Sequence, residues 1–123
     1  MEQYTNITEL IGKEWTKVVV NEYNDILTFE NDQEVLTFFH CEDCCETVMI
    51  DQIDGNLSDL EGSCILRAEE WTKDDPEAYG VGQWTFYRFA TIKGYVTIRW
   101  YGESNGYYSV AVDYSHKYKT LTP

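Results

Sequence analysis

Residues 84–114, WTFYRFATIKGYVTIRWYGESNGYYSVAVDY, decide the fold. Three runs rich in aromatic and β-branched residues, Trp84–Thr91, Tyr95–Tyr101 and Tyr107–Tyr114, are parted by Lys93-Gly94 and by Gly102-Glu103-Ser104-Asn105-Gly106. Such side chains suit a half-buried pleated surface, and short glycine-bearing loops suit hairpins. The stretch predicts a three-stranded antiparallel meander.

A regular hairpin closed by 102–106 would set Trp100 opposite Tyr108, Ile98 opposite Val110 and Val96 opposite Val112. Strand alternation then gathers Val96, Ile98, Trp100, Tyr108, Val110 and Val112 on the core face. A two-residue turn at Lys93-Gly94 adds Phe89, opposite Ile98, and Tyr87, opposite Trp100. The other face carries Trp84, Phe86, Arg88, Arg99, Tyr101, Tyr107 and Ser109, with Arg88 directly opposite Arg99. Like charges so placed repel, and an anion between them is the remedy. A carboxylate of the chain itself, from Glu69, Glu70 or Asp113, is one candidate. The other is a bound phosphate or carboxylate held by Arg88 and Arg99, with Trp84, Phe86, Tyr101 or Tyr107 stacking a flat ring and Asn105 reading its edge. A nucleotide fits that description.

Working back along the chain, 5–11 reads as a short helix, capped by Thr5 or Asn6 and stopped by Gly12. Glu14–Asn21 reads as a strand, and Ile26–Glu30 with Val35–Cys41 as a hairpin about Asn31-Asp32. Thr47–Ile53 is a further strand and Leu57–Glu61 one helical turn ended by Gly62. Cys64–Trp71 is a strand, followed by the longest loop, 72–82. The expected class is mostly β with a minor helical part: one compact antiparallel sheet or sandwich spanning 1–123, its core at about 5–115 and a tail at 116–123.

The chain has 123 residues, about one domain's worth, and its 15% aromatic content argues against disorder. Its net charge is −13, and between Lys17 and Arg67 it has no Lys or Arg at all. The acids of that stretch include Glu30, Asp32, Glu34, Glu42, Asp43, Glu46, Asp51, Asp54, Asp59 and Glu61, with Glu22 and Asp25 beside them. Such a field repels nucleic acid and anionic membrane and attracts a basic protein surface over roughly 8–10 Å. Solubility is the plainer use of the same charge. No apolar run reaches the ~18 residues of a membrane span, and the N-terminus lacks the features of a signal peptide. An intracellular setting is expected, in which Cys41, Cys44, Cys45 and Cys64 would be thiols.

Around His40-Cys41-Glu42-Asp43-Cys44-Cys45-Glu46, Cys41 and Cys44 have the spacing of half a zinc site. Only Cys64, His40 and His116 could join them, and in extended chain Cys44 and Cys45 point to opposite sides. His40 could act as a base, yet Glu42, Asp43 and Glu46 favour the neutral thiol over the thiolate. Small buried thiols at a corner between strands are the expectation, with no metal, no cofactor and no catalytic residue. None of the common phosphate-loop, dinucleotide or hydrolase motifs occurs.

His40-x-x-Asp43-Cys44-Cys45-Glu46, the spaced residues from Asp51 to Ser63, and the run Trp84–Ser109 together resemble a family of small domains of unknown function found in bacteriophages, prophages and some bacterial genomes. The likeness covers roughly 10–113, and Cys41 departs from the pattern. It implies a viral accessory gene acting in the host cytoplasm, without implying a reaction. The leading expectation is a non-enzymatic, anti-CRISPR-like inhibitor of host defence that docks its acidic surface on a basic effector. The alternative is a protein that sequesters an anionic, nucleotide-like signal on the arginine face. A small enzyme, a structural phage protein and a homo-oligomer complete the expected range.

Overall fold

The computed structural model describes residues 7–42 and 44–119. Among the described residues the chain forms eight strands, β1 (Lys17–Val20), β2 (Leu27–Glu30), β3 (Glu34–Phe39), β4 (Thr47–Asp54), β5 (Arg67–Asp74), β6 (Val81–Thr91), β7 (Gly94–Ser104) and β8 (Asp113–Tyr118), with one short 3-10 turn, Ile7–Leu10, ahead of β1 and another, Leu57–Leu60, between β4 and β5. They make two four-stranded antiparallel sheets, ordered β1-β2-β3-β8 and β4-β7-β6-β5. The chain is mostly β, as expected.

Alternation explains the layers. In β2 and β3, Leu27, Phe29, Leu36 and Phe38 point one way and are buried. In β6 and β7, Tyr87, Phe89, Val96, Ile98 and Trp100 are buried likewise. The two inner faces meet through rings: Phe29 lies 5.0 Å from Phe89 and Phe38 lies 5.0 Å from Tyr87, both edge-on. Trp15 closes the core beside Phe29 at 5.7 Å. Aromatic pairs of this kind add about 0.5–1.5 kcal/mol each beyond their buried area.

Local chemistry sets the turns. Asn31 accepts the N–H groups of Gln33 and Glu34 through its side-chain oxygen, both at 2.9 Å, and so closes the β2–β3 hairpin. Gly55 adopts φ 113°, and a Cβ there would stand 2.6 Å from the carbonyl oxygen of Tyr95. Only glycine lets the chain leave β4 so close to β7.

The expected meander is displaced by one strand. β5, β6 and β7 form it, whereas β8 crosses to the other sheet and pairs with β3. The 102–106 hairpin does not form because β4 already occupies that edge of β7, with Val48 opposite Gly102 and Ile50 opposite Trp100. Residues 104–108 close on themselves instead: the Ser104 hydroxyl donates to the carbonyl of Tyr108, and the N–H of Tyr107 donates to Asn105. Val110 is still buried and Val112 still packs on the core, from a crossing segment rather than a strand.

The β6–β7 turn centres on Ile92-Lys93, not Lys93-Gly94. Tyr87 therefore faces Ile98 and Phe89 faces Val96. A shift of two residues keeps every side chain on its expected face. The C-terminal boundary also moves: β8 runs to Tyr118 and His116 is buried, so the expected tail from 116 is partly strand. The predicted first helix is the 3-10 turn at Ile7–Leu10; its proposed caps, Thr5 and Asn6, lie outside the described residues.

Candidate ligand-binding face

The outer face of the second sheet follows from strand register. Lys73, Trp84 and Tyr101 form one row across β5, β6 and β7, with Met49 of β4 beyond. Trp71, Phe86 and Arg99 form the next, then Glu69, Arg88 and Thr97, then Arg67, Ala90 and Tyr95. Four of the nine Lys and Arg residues of an acidic chain share this face. So do five of its large aromatic side chains.

Arg88 and Arg99 are not opposite each other. Arg88 pairs with Thr97 and Arg99 with Phe86, because the turn sits one residue earlier than expected. The predicted repulsion is thereby relieved in two different ways. Between Ile50 and Gln52 the register of β4 slips, and the extra residue is Asp51. The bulge aims its carboxylate at Arg99, which donates from Nε at 2.9 Å and from a second nitrogen at 3.0 Å. Those hydrogen bonds hold the guanidinium pKa above its usual value. A carboxylate of the chain thus does serve Arg99, but it is Asp51 rather than Glu69, Glu70 or Asp113.

Arg88 is held otherwise. Its Nε donates to the hydroxyl of Thr97 at 3.0 Å, and among the described residues no carboxylate lies within 4.0 Å of it. The guanidinium carbon sits 5.4 Å from the ring centre of Trp71 and 5.6 Å from that of Tyr95. Trp71 in turn stacks flat on Phe86 at 5.0 Å. Rings on both neighbouring strands therefore orient one arginine by cation–π attraction without neutralising it.

Beside it Leu66, Arg67, Arg88, Ala90 and Tyr95 line an open hollow of about 530 Å³. That is within the usual range for a small-molecule site. A smaller one of about 150 Å³ lies between Phe86, Thr97, Arg99, Gln52 and Asp54. Trp84, Phe86 and Tyr101 take the outer face as predicted, and Trp84 and Tyr101 pack at 5.3 Å. Tyr101 also donates to Asp75 at 2.7 Å, which pushes its pKa up to about 12. Asn105 and Tyr107 belong to the loop beyond β7, at the opposite end of the strands from Arg88, and do not join it. Sequence reading missed Trp71, Arg67 and Tyr95. The outward alternation Arg67, Glu69, Trp71, Lys73 carries the signal, once β5 is placed beside β6.

The expected acidic surface is partly spent inside the protein. Glu34 is buried, 2.7 Å from both Lys13 and His116, and Glu46 is buried against His40. Neither can face a partner. Glu30 pairs with Lys119 at 2.9 Å, Asp51 with Arg99, and Glu61 accepts the backbone N–H of Val18 at 2.8 Å. Of the remainder, Asp32, Glu42 and Asp54 are exposed, Asp59 is half-buried, and Asp43 lies outside the described residues. Asp25 and Glu42 border a third hollow, of about 340 Å³, with Ile26, Phe39 and Val48.

His40 is a structural clip. Its Nδ1 lies 2.7 Å from the carbonyl of Ala111 and its Nε2 lies 2.9 Å from Glu46. Both partners are acceptors, so the imidazolium with two N–H groups satisfies both. Burial lowers its pKa, but the bonds to Ala111 and Glu46 outweigh it and the net direction is up. Cys44 and Cys45 are joined as a disulfide, which corrects the expected thiols at these two positions. They sit in a bend, not in extended strand, and so turn to the same side. Cys41 and Cys64 are free, and all four cysteines are exposed, which corrects the expected buried thiols. With Cys44 taken, the Cys41/Cys44 half-site is not assembled, and among the described residues no cluster of three or more His, Cys, Asp or Glu is placed to hold a metal. No described helix is long and apolar enough to cross a membrane.

Residues 8–114 match the model of the family described as a domain of unknown function, DUF7448. The chain belongs to that family. No curated protein matches it. No solved structure matches it either.

Proposed function

We propose that this chain is a non-enzymatic binding domain whose ligand is an anionic molecule carrying a flat ring, of the nucleotide class, held on the outer face of the second sheet. One observation carries the reading. Arg88 is oriented by Trp71, Tyr95 and Thr97, stands free of any carboxylate among the described residues, and opens on a hollow of suitable size. Arg99 and Glu34, by contrast, are each closely paired with an opposite charge. Arg67 supplies a second guanidinium for phosphate, and the exposed ring of Tyr95 supplies a stacking surface.

In a phage or prophage such a protein would serve as an accessory that sequesters a nucleotide signal of host defence. The test is a calorimetric and thermal-shift screen of nucleoside mono-, di- and triphosphates, with Arg88→Ala as control. A bound ligand at a hundred times its Kd raises stability by about 2.7 kcal/mol. Arg88→Ala should abolish that gain without unfolding the chain. No stabilisation by any phosphate-bearing nucleotide refutes the reading.

A second reading keeps the expected inhibitor of a basic host effector. It rests on the hollow between Asp25 and Glu42, whose apolar floor of Ile26, Phe39 and Val48 suits the stem of a partner's Lys or Arg. Binding of that kind weakens steeply between 50 and 500 mM salt, on the order of the loss expected when surface charges are screened. Affinity indifferent to salt would exclude it.

A further inference from the structure

The second sheet has β5 at one margin; the turn Ile7–Leu10 packs near it, but most of its side chains are exposed. Of its eight residues only Ala68 is buried. Glu70 and Thr72 face inward by register, opposite Tyr87 and Thr85, yet both are exposed. The segment before the strand is covered: Ile65 donates to the carbonyl of Lys13 and accepts the N–H of Gly12, both at 2.8 Å. From Arg67 to Asp74, among the described residues, no chain pairs with the outer edge.

Folded proteins guard such an edge with proline, a bulge, shortness or charge. β5 has no proline and no slip in its register, and it is eight residues long. Its guard is charge: Arg67, Glu69, Glu70, Lys73 and Asp74. Charge admits a partner whose pattern complements it.

We propose that the partner is a second copy of this chain, the two β5 strands pairing antiparallel about a two-fold axis at Trp71 and joining the second sheets into one of eight strands. A two-fold axis perpendicular to the sheet sets one residue against itself. With Glu69 or Glu70 on the axis, two carboxylates collide, and the Glu70 register also opposes Arg67 to Lys73. With Thr72 on the axis, Glu70 meets Asp74. With Trp71 on the axis, Glu69 of each copy faces Lys73 of the other, Ala68 faces Asp74, Glu70 faces Thr72, and the two Trp71 rings meet. Glu69, Trp71 and Lys73 share the outer face, so these contacts fall on one side of the joined sheet. Cross-strand pairs of opposite charge and of aromatic rings are the ones that stabilise a sheet. The pairing sets the two arginine faces side by side, but it stands on the edge alone and does not require a ligand.

Sedimentation velocity of the full chain from about 5 to 500 µM, a span centred on weak, micromolar association, reads the outcome. The mass should climb from 14.4 kDa towards twice that value. Glu69→Lys and Lys73→Glu each turn both axial pairs into like charges, and each should move the association curve about tenfold or more to higher concentration. Mixed one to one, the two variants should associate as the parent does, because each then supplies the charge the other has lost. Circular dichroism of each variant reports that it is folded. A parent that stays monomeric throughout, or a mixture no heavier than its two components, overturns the proposal.

Discussion

Removing the His40 imidazole should destabilise the domain by an amount that depends on pH in a defined direction. Glu46 is buried and its Oε1 lies 2.9 Å from the ring, while Ala111 accepts from the other nitrogen at 2.7 Å. In His40→Ala a buried carboxylate loses its cation and a carbonyl its donor, which costs about 3–5 kcal/mol for a buried pair broken on one side. The folded pKa of His40 is raised, whereas the unfolded chain titrates near 6.5. The stabilisation is therefore complete below about pH 6.5 and fades at about 1.4 kcal/mol per pH unit as pH rises through the folded value. Urea unfolding of parent and variant at pH 6 and pH 9 measures the difference. It should be larger at pH 6. A cost under about 1 kcal/mol, or an equal cost at both values, would refute the imidazolium clip.

Asp51→Asn removes the charge that neutralises Arg99. Both side chains are about one-third exposed, so urea unfolding should show a loss under about 1 kcal/mol, while calorimetry should show stronger nucleotide binding. Weaker binding would mean that Arg99 must stay paired to build the site. At Gly102 an added Cβ would lie 2.7 Å from the Cβ of Val110 and 3.0 Å from Val48, so Gly102→Ala should cost about 1–3 kcal/mol by thermal unfolding. A variant as stable as the parent would place the 109–112 segment elsewhere. Tyr101 should titrate at about 12 in an ultraviolet difference titration, with Tyr87 and Tyr114 also late because burial raises both. Asp75→Asn should return Tyr101 towards the ordinary tyrosine range, and a titration unchanged by it would remove the Tyr101–Asp75 bond.

The strands were legible in the sequence because alternation is local, and their partners were not, because pairing is a contest between distant segments. Tyr87, Phe89, Val96, Ile98 and Trp100 are read from period two alone. Nothing local to 102–114 announces that β4, some fifty residues earlier, takes the free edge of β7 and sends Asp113–Tyr118 to the other sheet. The turn at Ile92-Lys93 was misplaced by one residue, because a glycine after the turn and a glycine within it look alike in sequence. That error moved every partner by two and no side chain to the wrong face.

The same error decided what the arginines could mean. Facing each other, Arg88 and Arg99 would have demanded one shared anion. Set a row apart, they have separate fates, and the bulge at Asp51 hands one of them a carboxylate that no period-two reading of β4 can reveal. Arg88 cannot borrow it. Glu69 stands opposite on β5 but has Arg67 only 3.9 Å away, and among the described residues it makes no ion pair with Arg88. Stacking on Trp71 and Tyr95 fixes where that guanidinium points without removing its charge. In a chain with 22 acids and 9 cations, carboxylates are abundant enough to have closed this position. A half-buried arginine left open beside a ring and a hollow is the feature that a binding function explains and that solubility does not.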